Sequence, residues 1–219
     1  MKKTFLNVFM IAGIAMATVG CKNDTTSEEA KEVATANAEA MEYAVDTTAS
    51  EIAWEGNKPT GTHTGTIQLK NGTFKANDSI IESGTFVISM TSINVTDLEG
   101  DDKTNLESHL KGTVEGKEGD FFNVNQFPEA TFEVTGINTV NGKTMLQGNL
   151  TMKEETKNIE FPVMINQTEE AIEITSEPFA IDRTEWNVNY GSKSVFDGLG
   201  DKFINDDIIL TLNLKAKKA

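Results

Sequence analysis

The stretch TFEVTGINTVNGKTMLQGNLTMKEETKNIEFPVMI, residues 131–165, decides the fold class. Apolar residues recur at alternate positions in its three runs, and polar residues stand between them. Period-two alternation is typical of β-strands with one buried and one solvated face. Asn141-Gly142 separates the first two runs, and this dipeptide is the strongest short hairpin signal. The stretch therefore predicts consecutive antiparallel strands.

The same alternation recurs along most of the chain and predicts about eight strands. The runs are marked by Ile52 and Trp54; Ile67 and Leu69; Phe86, Ile88 and Met90; Phe132 and Val134; Leu146, Leu150 and Met152; Ile159, Phe161, Val163 and Ile165; Ile172 and Ile174; and Ile208, Leu210, Leu212 and Leu214. Further turns are predicted at Asn71-Gly72 and around Glu169-Glu170.

One segment departs from the strand pattern. Residues 101–112, DDKTNLESHLKG, space Leu106 and Leu110 four apart, begin with acids and end with glycine, which predicts a short helix. The glycine- and acid-rich residues 113–120 that follow predict a mobile loop.

Residues 43–219 are long enough for one all-β domain, and closure into a single antiparallel barrel removes sheet edges that otherwise aggregate. At roughly eight strands, the interior is filled by side chains or holds one small or narrow ligand. The alternation leaves both possibilities open.

The N-terminal residues do not belong to that domain. Residues 1–20 combine Lys2 and Lys3 with an apolar run, as in a secretory signal that is too short to span a membrane. Gly20 precedes Cys21, the only cysteine, as in a lipobox whose thiol is acylated. Residues 22–42 contain no aromatic residue and few branched aliphatic ones, so residues 21–42 are predicted to be a flexible tether after the acylated cysteine.

The charge of the chain argues against a nucleic-acid partner. The formal charge is −15, and removal of residues 1–20 would take away two lysines and no acid, giving −17. Basic side chains cluster only at the C-terminal end, at Lys215, Lys217 and Lys218, whereas phosphate backbones require clustered Lys and Arg over a binding surface.

Several short segments follow one another at a recognisable spacing. They are Tyr43-Ala-Val-Asp-Thr47 with Ser50, Trp54, Gly72-Thr-Phe74, Phe121-Phe122, Phe127-Pro128-Glu129-Ala-Thr-Phe132, Gly148-Asn-Leu-Thr-Met152 and Ile181-Asp-Arg183. In this order and spacing they resemble the YceI-like family of polyisoprenoid-binding proteins, from about Tyr43 to Ala216. A branch of that family has a Trp-x-Gly-x-Lys-x-x-Gly-x-His-x-Gly stretch and a Leu-x-x-His-Leu stretch. They are matched by Trp54, Gly56, Lys58, Gly61, His63 and Gly65, and by Leu106, His109 and Leu110.

Two segments depart from the family pattern. The link between the His-Leu segment and the Phe-Phe pair is lengthened by residues 113–120. The expected Lys-Gly-x-Thr-Lys turn reads Lys153-Glu-Glu-Thr-Lys157, which places Glu154 where a positive φ is expected.

The resemblance implies an extended, lipocalin-like barrel whose apolar lumen holds a long isoprenoid or similar amphiphile, with no catalytic step and no cofactor. The inward-facing residues are then the predicted ligand contacts: Trp54, Ile67, Leu69, Phe86, Ile88, Met90, Phe132, Val134, Leu146, Phe161, Val163, Ile172, Ile174, Trp186, Leu210 and Leu212. His63, His109 and Arg183 are predicted polar residues at the barrel mouth.

Alternative interpretations of these residues remain. The two histidines could bind a metal, but a site usually needs three or four ligands, and no HxH or HxxxH spacing is present, so no metal is predicted. Arg183 could hold a phosphate or carboxylate head group or form an ion pair between strands. Trp54, Trp186 and Tyr190 could line a lipid channel or fill the core.

No enzyme signature is present in the sequence. It lacks a Gly-x-Ser-x-Gly elbow and a phosphate loop, and the adjacent acids Asp101-Asp102 and Asp206-Asp207 do not form an acid/base pair. We therefore expect a non-catalytic lipid-binding lipoprotein at the cell envelope, anchored to a membrane and facing the periplasm or the cell exterior, as a monomer or homodimer. The alternative is a packed barrel that binds a protein or polar partner through its outer face and residues 113–120.

Overall fold

The computed structural model describes residues 27–219, so the predicted signal segment, Cys21 and the first residues of the predicted tether lie outside it. The strands are β1 Glu28–Glu29, β2 Met41–Val45, β3 Glu51–Lys58, β4 Gly61–Asn77, β5 Ile80–Val95, β6 Glu129–Val140, β7 Lys143–Met152, β8 Glu155–Gln167, β9 Ala171–Ser176, β10 Phe179–Asp182 and β11 Asp207–Lys218. Helix α1 spans Gly100–Lys111, and two 3-10 turns span Arg183–Trp186 and Gly200–Lys202.

The strands form one antiparallel sheet that closes on itself. Strands β4 to β8 pair in chain order, β9 pairs with both β8 and β11, and β2 and β3 lie between β11 and β4. Since β2 and β3 share one place in the ring, and β10 continues β9 along β11, the described residues form a ring of eight strands. This confirms the predicted all-β antiparallel fold with eight strands and one short helix.

The alternating runs all lie in strands, and α1 occupies the predicted helical segment. The helix ends at Gly112, whose φ of 67° is left-handed and whose amide donates to the His109 carbonyl oxygen at 3.1 Å. Glycine adopts this conformation without the steric penalty of a Cβ, which explains the position of the helix end.

The predicted turn at Asn71-Gly72 is wrong. Both residues lie inside β4, at a shift in its pairing with β5, and the chain turns instead at Asp78 and Ser79, with φ values of 45° and 65°. A Cβ on Gly72 would lie 2.9 Å from both Phe86 and Val45, so this glycine permits a close approach rather than a turn.

The other turn predictions agree with the structure. Asn141 and Gly142 join β6 to β7 with φ values of 51° and 80°. Lys153 and Glu154 join β7 to β8 with φ values of 48° and 71°, so a non-glycine residue does occupy the left-handed position of this turn.

Residues 27–40, which we call the strap, differ from the predicted flexible tether. They run along the outer surface of the sheet: β1 pairs with β8, Lys31 bonds to Asn149, and the Ala34 amide donates to the Val134 carbonyl oxygen at 2.9 Å. Composition did not reveal this because the strap is held by backbone and amide hydrogen bonds rather than by apolar side chains. No helix among residues 27–219 is long and apolar enough to cross a membrane.

Aromatic side chains fill one half of the ring. Six aromatic side chains follow one another at centroid distances of 4.3–6.3 Å, and we call this set the aromatic row. It runs from Tyr43 through Phe74, Phe86, Phe132 and Phe161 to Phe179. All six side chains are at most 8% exposed. The ring is therefore packed on the side of the β4–β5 and β6–β7 turns, which we call the closed end.

Candidate functional site

A cavity of about 420 Å³ lies at the opposite end of the ring, between the strands and α1. Its volume falls in the usual range for small-molecule sites. The wall is mainly aliphatic and aromatic, and it includes Ile52, Trp54, Ile67, Ile88, Met90, Ile93, Leu106, Leu110, Phe121, Phe122, Ala130, Leu150, Met152, Ile181, Ile208 and Leu210. Exposed Lys58, Tyr190 and Lys202 also line it, so the cavity opens to solvent here, and we call this the open end.

The predicted lumen residues divide between the two halves of the ring. Five of them line the cavity: Trp54, Ile67, Ile88, Met90 and Leu210. The other eleven pack in or against the core without lining the cavity: Leu69, Phe86, Phe132, Val134, Leu146, Phe161, Val163, Ile172, Ile174, Trp186 and Leu212. Alternation identifies the inward positions, but it does not predict how far each one lies from either end of the ring.

Several cavity residues were missing from the predicted set. Ile52, Leu150 and Met152 belong to recognised runs, and Leu150 and Met152 lie nearer the open end than their predicted neighbour Leu146. His109 on α1 was predicted at the mouth, but the apolar contributions of Leu106, Leu110 and Phe121-Phe122 were not, because they depend on how the helix packs across the end of the ring.

The two predicted tryptophans have different surroundings. Trp54 is partly buried and lines the cavity, and its indole N–H donates to the Thr66 carbonyl oxygen at 3.3 Å. Trp186 is fully buried and donates to the Leu150 carbonyl oxygen at 3.0 Å. Trp186 is therefore a core residue, whereas Trp54 could contact a ligand.

His63 and Asp97 connect the start of β4 to the segment after β5 at the edge of the open end, which we call the rim. His63 Nδ1 lies 2.8 Å from Asp97 Oδ2, and the Thr64 amide donates to Asp97 Oδ1 at 2.9 Å. Burial alone would raise the pKa of Asp97, but the hydrogen bonds from Thr64 and His63 outweigh it and hold the pKa below its usual value. Asp97 is therefore an ionised acceptor that orients His63 beside the cavity.

His109 joins α1 to the loop that follows it. Its Nε2 lies 2.6 Å from Asp120 Oδ2, and its ring packs edge-on against Phe121 and Tyr190 at centroid distances of 5.0 and 4.9 Å. Phe121 and Tyr190 also contact each other, at a centroid distance of 5.3 Å, so the three rings form one cluster. Among residues 27–219 no group of three or more His, Cys, Asp or Glu side chains could hold a metal ion.

Arg183 lines the cavity, but most of its hydrogen bonds go to the protein backbone. It is 2% exposed and donates to the carbonyl oxygens of Asn205, Val188 and Ile204, with Asp206 Oδ1 3.6 Å from Nη2. Burial lowers its pKa, and the nearby carboxylates of Asp206 and Asp182 oppose that effect. The geometry favours a structural role in which Arg183 holds residues 188–206 across the open end.

Lys153 connects the β7–β8 turn to two other segments of the rim. Its ammonium donates to the Phe121 carbonyl oxygen at 2.7 Å and to the Asn187 carbonyl oxygen at 2.9 Å, and burial lowers its pKa. The rim is thus a network of hydrogen-bonded loops around an apolar interior.

The family can be assigned from the sequence of the residues that form the eight-stranded ring. Residues 43–216 match the model of the YceI-like domain, which is most of the chain. The chain belongs to the YceI-like family. No curated protein sequence matches this YceI-like chain significantly.

Solved structures share the fold at low sequence identity. Burkholderia cenocepacia BcnA is 19% identical, with a TM-score of 0.58, and the match covers 78% of this chain and 98% of that one. A polyisoprenoid binding domain from Saccharophagus degradans, implicated in plant cell wall breakdown, is 13% identical, with a TM-score of 0.57, and the match covers 82% and 99%.

Proposed function

We propose that this YceI-like chain is a carrier that binds an isoprenoid or another long-chain amphiphile in the cavity of a lipocalin-like barrel. The observation that carries the proposal is the apolar cavity, which opens to solvent at one end of the ring, while the aromatic row packs the interior toward the other end. Each CH₂ removed from water contributes roughly 0.8 kcal/mol, so this wall can bind a hydrocarbon chain without a dedicated motif.

The Saccharophagus degradans domain, described as polyisoprenoid binding, supports the choice of ligand class. A hydrocarbon chain in the cavity would place its polar end at the rim, where Lys58, His63, Lys202 and Asn57 line the opening. Arg183 is a weaker head-group candidate because the backbone already takes bonds from each of its three nitrogens.

We also propose that the protein is a lipoprotein of the cell envelope. The basis is the sequence alone: the apolar run in residues 1–20, and Gly20-Cys21. In this proposal Cys21 is acylated and anchors the barrel to a membrane. The mass of the mature chain purified from its host tests this directly, because acylation adds the mass of the lipid to a chain that begins at Cys21.

The carrier function predicts that filling the cavity abolishes binding. Ala130 is 3% exposed and lines the cavity wall, so the indole of Ala130→Trp would occupy the ligand's volume. Met164→Trp is the matched control, because Met164 is 59% exposed on the outer surface. Binding of a fluorescent isoprenoid alcohol is measured for both variants, with circular dichroism to verify the fold.

We expect at least a tenfold loss of affinity for Ala130→Trp and none for Met164→Trp. Equal affinity in both folded variants would contradict binding in the cavity. It would favour instead a packed barrel that recognises its partner through the outer surface.

A further inference from the structure

The strap is built into the domain through two buried asparagines. Asn149 and Asn158 are cross-strand neighbours on β7 and β8 and face outward, because the adjacent Leu150 and Ile159 face the core. They are nonetheless only 5% and 2% exposed. Outward-facing residues become this buried only when another segment covers them, and the covering segment is the strap.

The Asn149 side chain both accepts a hydrogen bond from the strap backbone and donates one to it. Its Oδ1 accepts from the Lys31 amide at 2.9 Å, and its Nδ2 donates to the Lys31 carbonyl oxygen at 2.7 Å. Asn158 Nδ2 donates to Asn149 Oδ1 at 3.1 Å and to Thr135 Oγ1 at 2.9 Å. Release of the strap would give up the two buried hydrogen bonds between Asn149 and Lys31, and a buried hydrogen bond contributes net stability to the folded state.

The two ends of the strap lie at opposite ends of the ring. Near the closed end, Asn37 bonds to Glu82 through its backbone amide at 2.6 Å and its side chain at 3.0 Å. At the other end, Glu29 pairs with Lys157 at 2.8 Å, and the Ser27 hydroxyl donates to Glu185. Glu185 belongs to the 3-10 turn whose Arg183 lines the cavity, so the chain enters the described domain beside the open end.

This path limits how far Cys21 can lie from the open end. Cys21 precedes Ser27 by six residues, which span about 20 Å when fully extended. Without the strap, the twenty residues from Cys21 to Met41 would span up to about 70 Å and would impose little orientation on the ring. A membrane anchor at Cys21 therefore keeps the open end near the membrane when the strap is docked, whereas a released strap would leave the orientation of the ring free.

The open end also presents apolar side chains to solvent. Tyr190, Val195 and Phe196, on the segment between β10 and β11, are 41%, 47% and 49% exposed. Tyr190 lines the cavity as well, and Val195 and Phe196 follow it by five and six residues on the same segment. Aromatic side chains with a polar tip, such as tyrosine, are favoured at membrane interfaces.

We propose that the strap orients the anchored domain so that its open end lies on the lipid bilayer, with Val195 and Phe196 in contact with the membrane surface. The proposal rests on the proposed anchoring through Cys21. A ligand could then pass between bilayer and cavity without crossing water.

The test measures amide hydrogen exchange after coupling to a membrane. The chain from Cys21 onward keeps every described residue, and its single thiol is coupled to maleimide lipid in phosphatidylcholine vesicles. We expect amides of residues 190–199 to exchange at least threefold more slowly on the vesicle than in solution. The β4–β5 turn at the closed end, which is followed by Ile80 at 53% exposure, is the internal control and should not change.

Strap variants test the role of the docked segment. Asn149→Ala removes the buried bonds, and Lys31→Pro with Glu82→Ala releases the strap without altering the core. Both should abolish the difference between residues 190–199 and the β4–β5 turn. Equal protection of both ends in the unaltered chain, or undiminished selective protection in both strap variants, would overturn the proposal.

A second variant pair tests the apolar patch. Val195→Ser with Phe196→Ser should slow uptake of an isoprenoid alcohol from vesicles at least fivefold, while Ile80→Ser with Met164→Ser should leave it unchanged. Equal uptake by the two variants would contradict membrane contact by this patch. Protection of residues 190–199 that rises with protein concentration without vesicles would indicate a second copy instead of a bilayer.

Failure of this proposal is distinguishable from failure of the proposed function. Thiol coupling does not depend on acylation in the host, and binding of the fluorescent alcohol in solution is measured without vesicles.

Discussion

At the scale of single residues, two glycines under aromatic rings shape the interior. A Cβ on Gly65 would overlap the Trp54 indole, and a Cβ on Gly148 would overlap the Phe132 ring. Each ring therefore lies flat on the backbone of the neighbouring strand. Glycine in a strand often marks such a close approach.

Gly148→Ala should destabilise the fold by about 1–3 kcal/mol, because the added methyl displaces the Phe132 ring in a packed core. Gly136→Ala is the control on the neighbouring strand, since its Cβ would meet only the end of Gln147, at 3.4 Å. Urea denaturation measures both free energies of unfolding. Equal free energies of unfolding for the two variants would show that the packing of the Phe132 side chain does not depend on Gly148.

Asp46 makes stability depend on pH in the acid range. Hydrogen bonds from Thr48, at 2.7 Å, and Lys217, at 3.1 Å, lower its pKa from 3.8 to about 2. Because the folded pKa lies below the unfolded one, its stabilising contribution is complete above about pH 4 and is lost as the pH falls toward 2.

Asp46→Asn should therefore be less stable than the unaltered chain at pH 7, and the difference should shrink between pH 4 and pH 2. The free energy of unfolding of both proteins, measured across this range, checks the prediction. A difference that stays constant down to pH 2 would contradict the lowered pKa of Asp46.

At the scale of elements, the aromatic row fills the interior of the strand ring next to the cavity. Phe86 lies between Phe74 and Phe132, at centroid distances of 5.9 and 6.3 Å, one inward position below Ile88 in the cavity wall. A chain that enters from the open end meets this row before the closed end. The row should therefore limit the length of hydrocarbon that is bound.

Phe86→Leu should shift binding toward longer hydrocarbon chains, because it removes part of the aromatic row. Its loss of folding stability should be smaller than the ~3–5 kcal/mol of a Phe→Ala change. The measurement offers isoprenoid alcohols of several lengths in one mixture and weighs those extracted from the protein. Ile172→Val is the control, because it removes a buried methylene group away from the cavity. An unchanged length distribution would mean that Phe86 does not limit the chain.

The elements also show which parts of the fold the sequence can predict. Regular alternation predicted eight strands correctly, because one face of each strand is buried along most of its length. The prediction of a turn at Asn71-Gly72 was wrong because this dipeptide fits both a hairpin turn and a close approach of two strands. The strap was missed because Asn149 and Asn158, which hold it, look like ordinary surface residues in an alternating strand.

At the scale of the whole molecule, the ring has a packed half and an open half. Phe161 and Met90 are both inward and apolar, yet one stacks on Phe179 at 4.3 Å and the other lines the cavity. This difference depends on where each strand starts relative to the open end, and periodicity does not contain that information. The sequence therefore predicted the ring and five of its cavity residues but not the division between its halves.

Native mass spectrometry of the protein purified from its own host tests the central claim most directly. A denaturing extraction then weighs whatever the protein releases. The carrier function predicts one bound amphiphile per chain with an isoprenoid-like mass, and its absence from the Ala130→Trp variant. Protein that carries no amphiphile and takes up none of the added isoprenoid alcohol would contradict the claim.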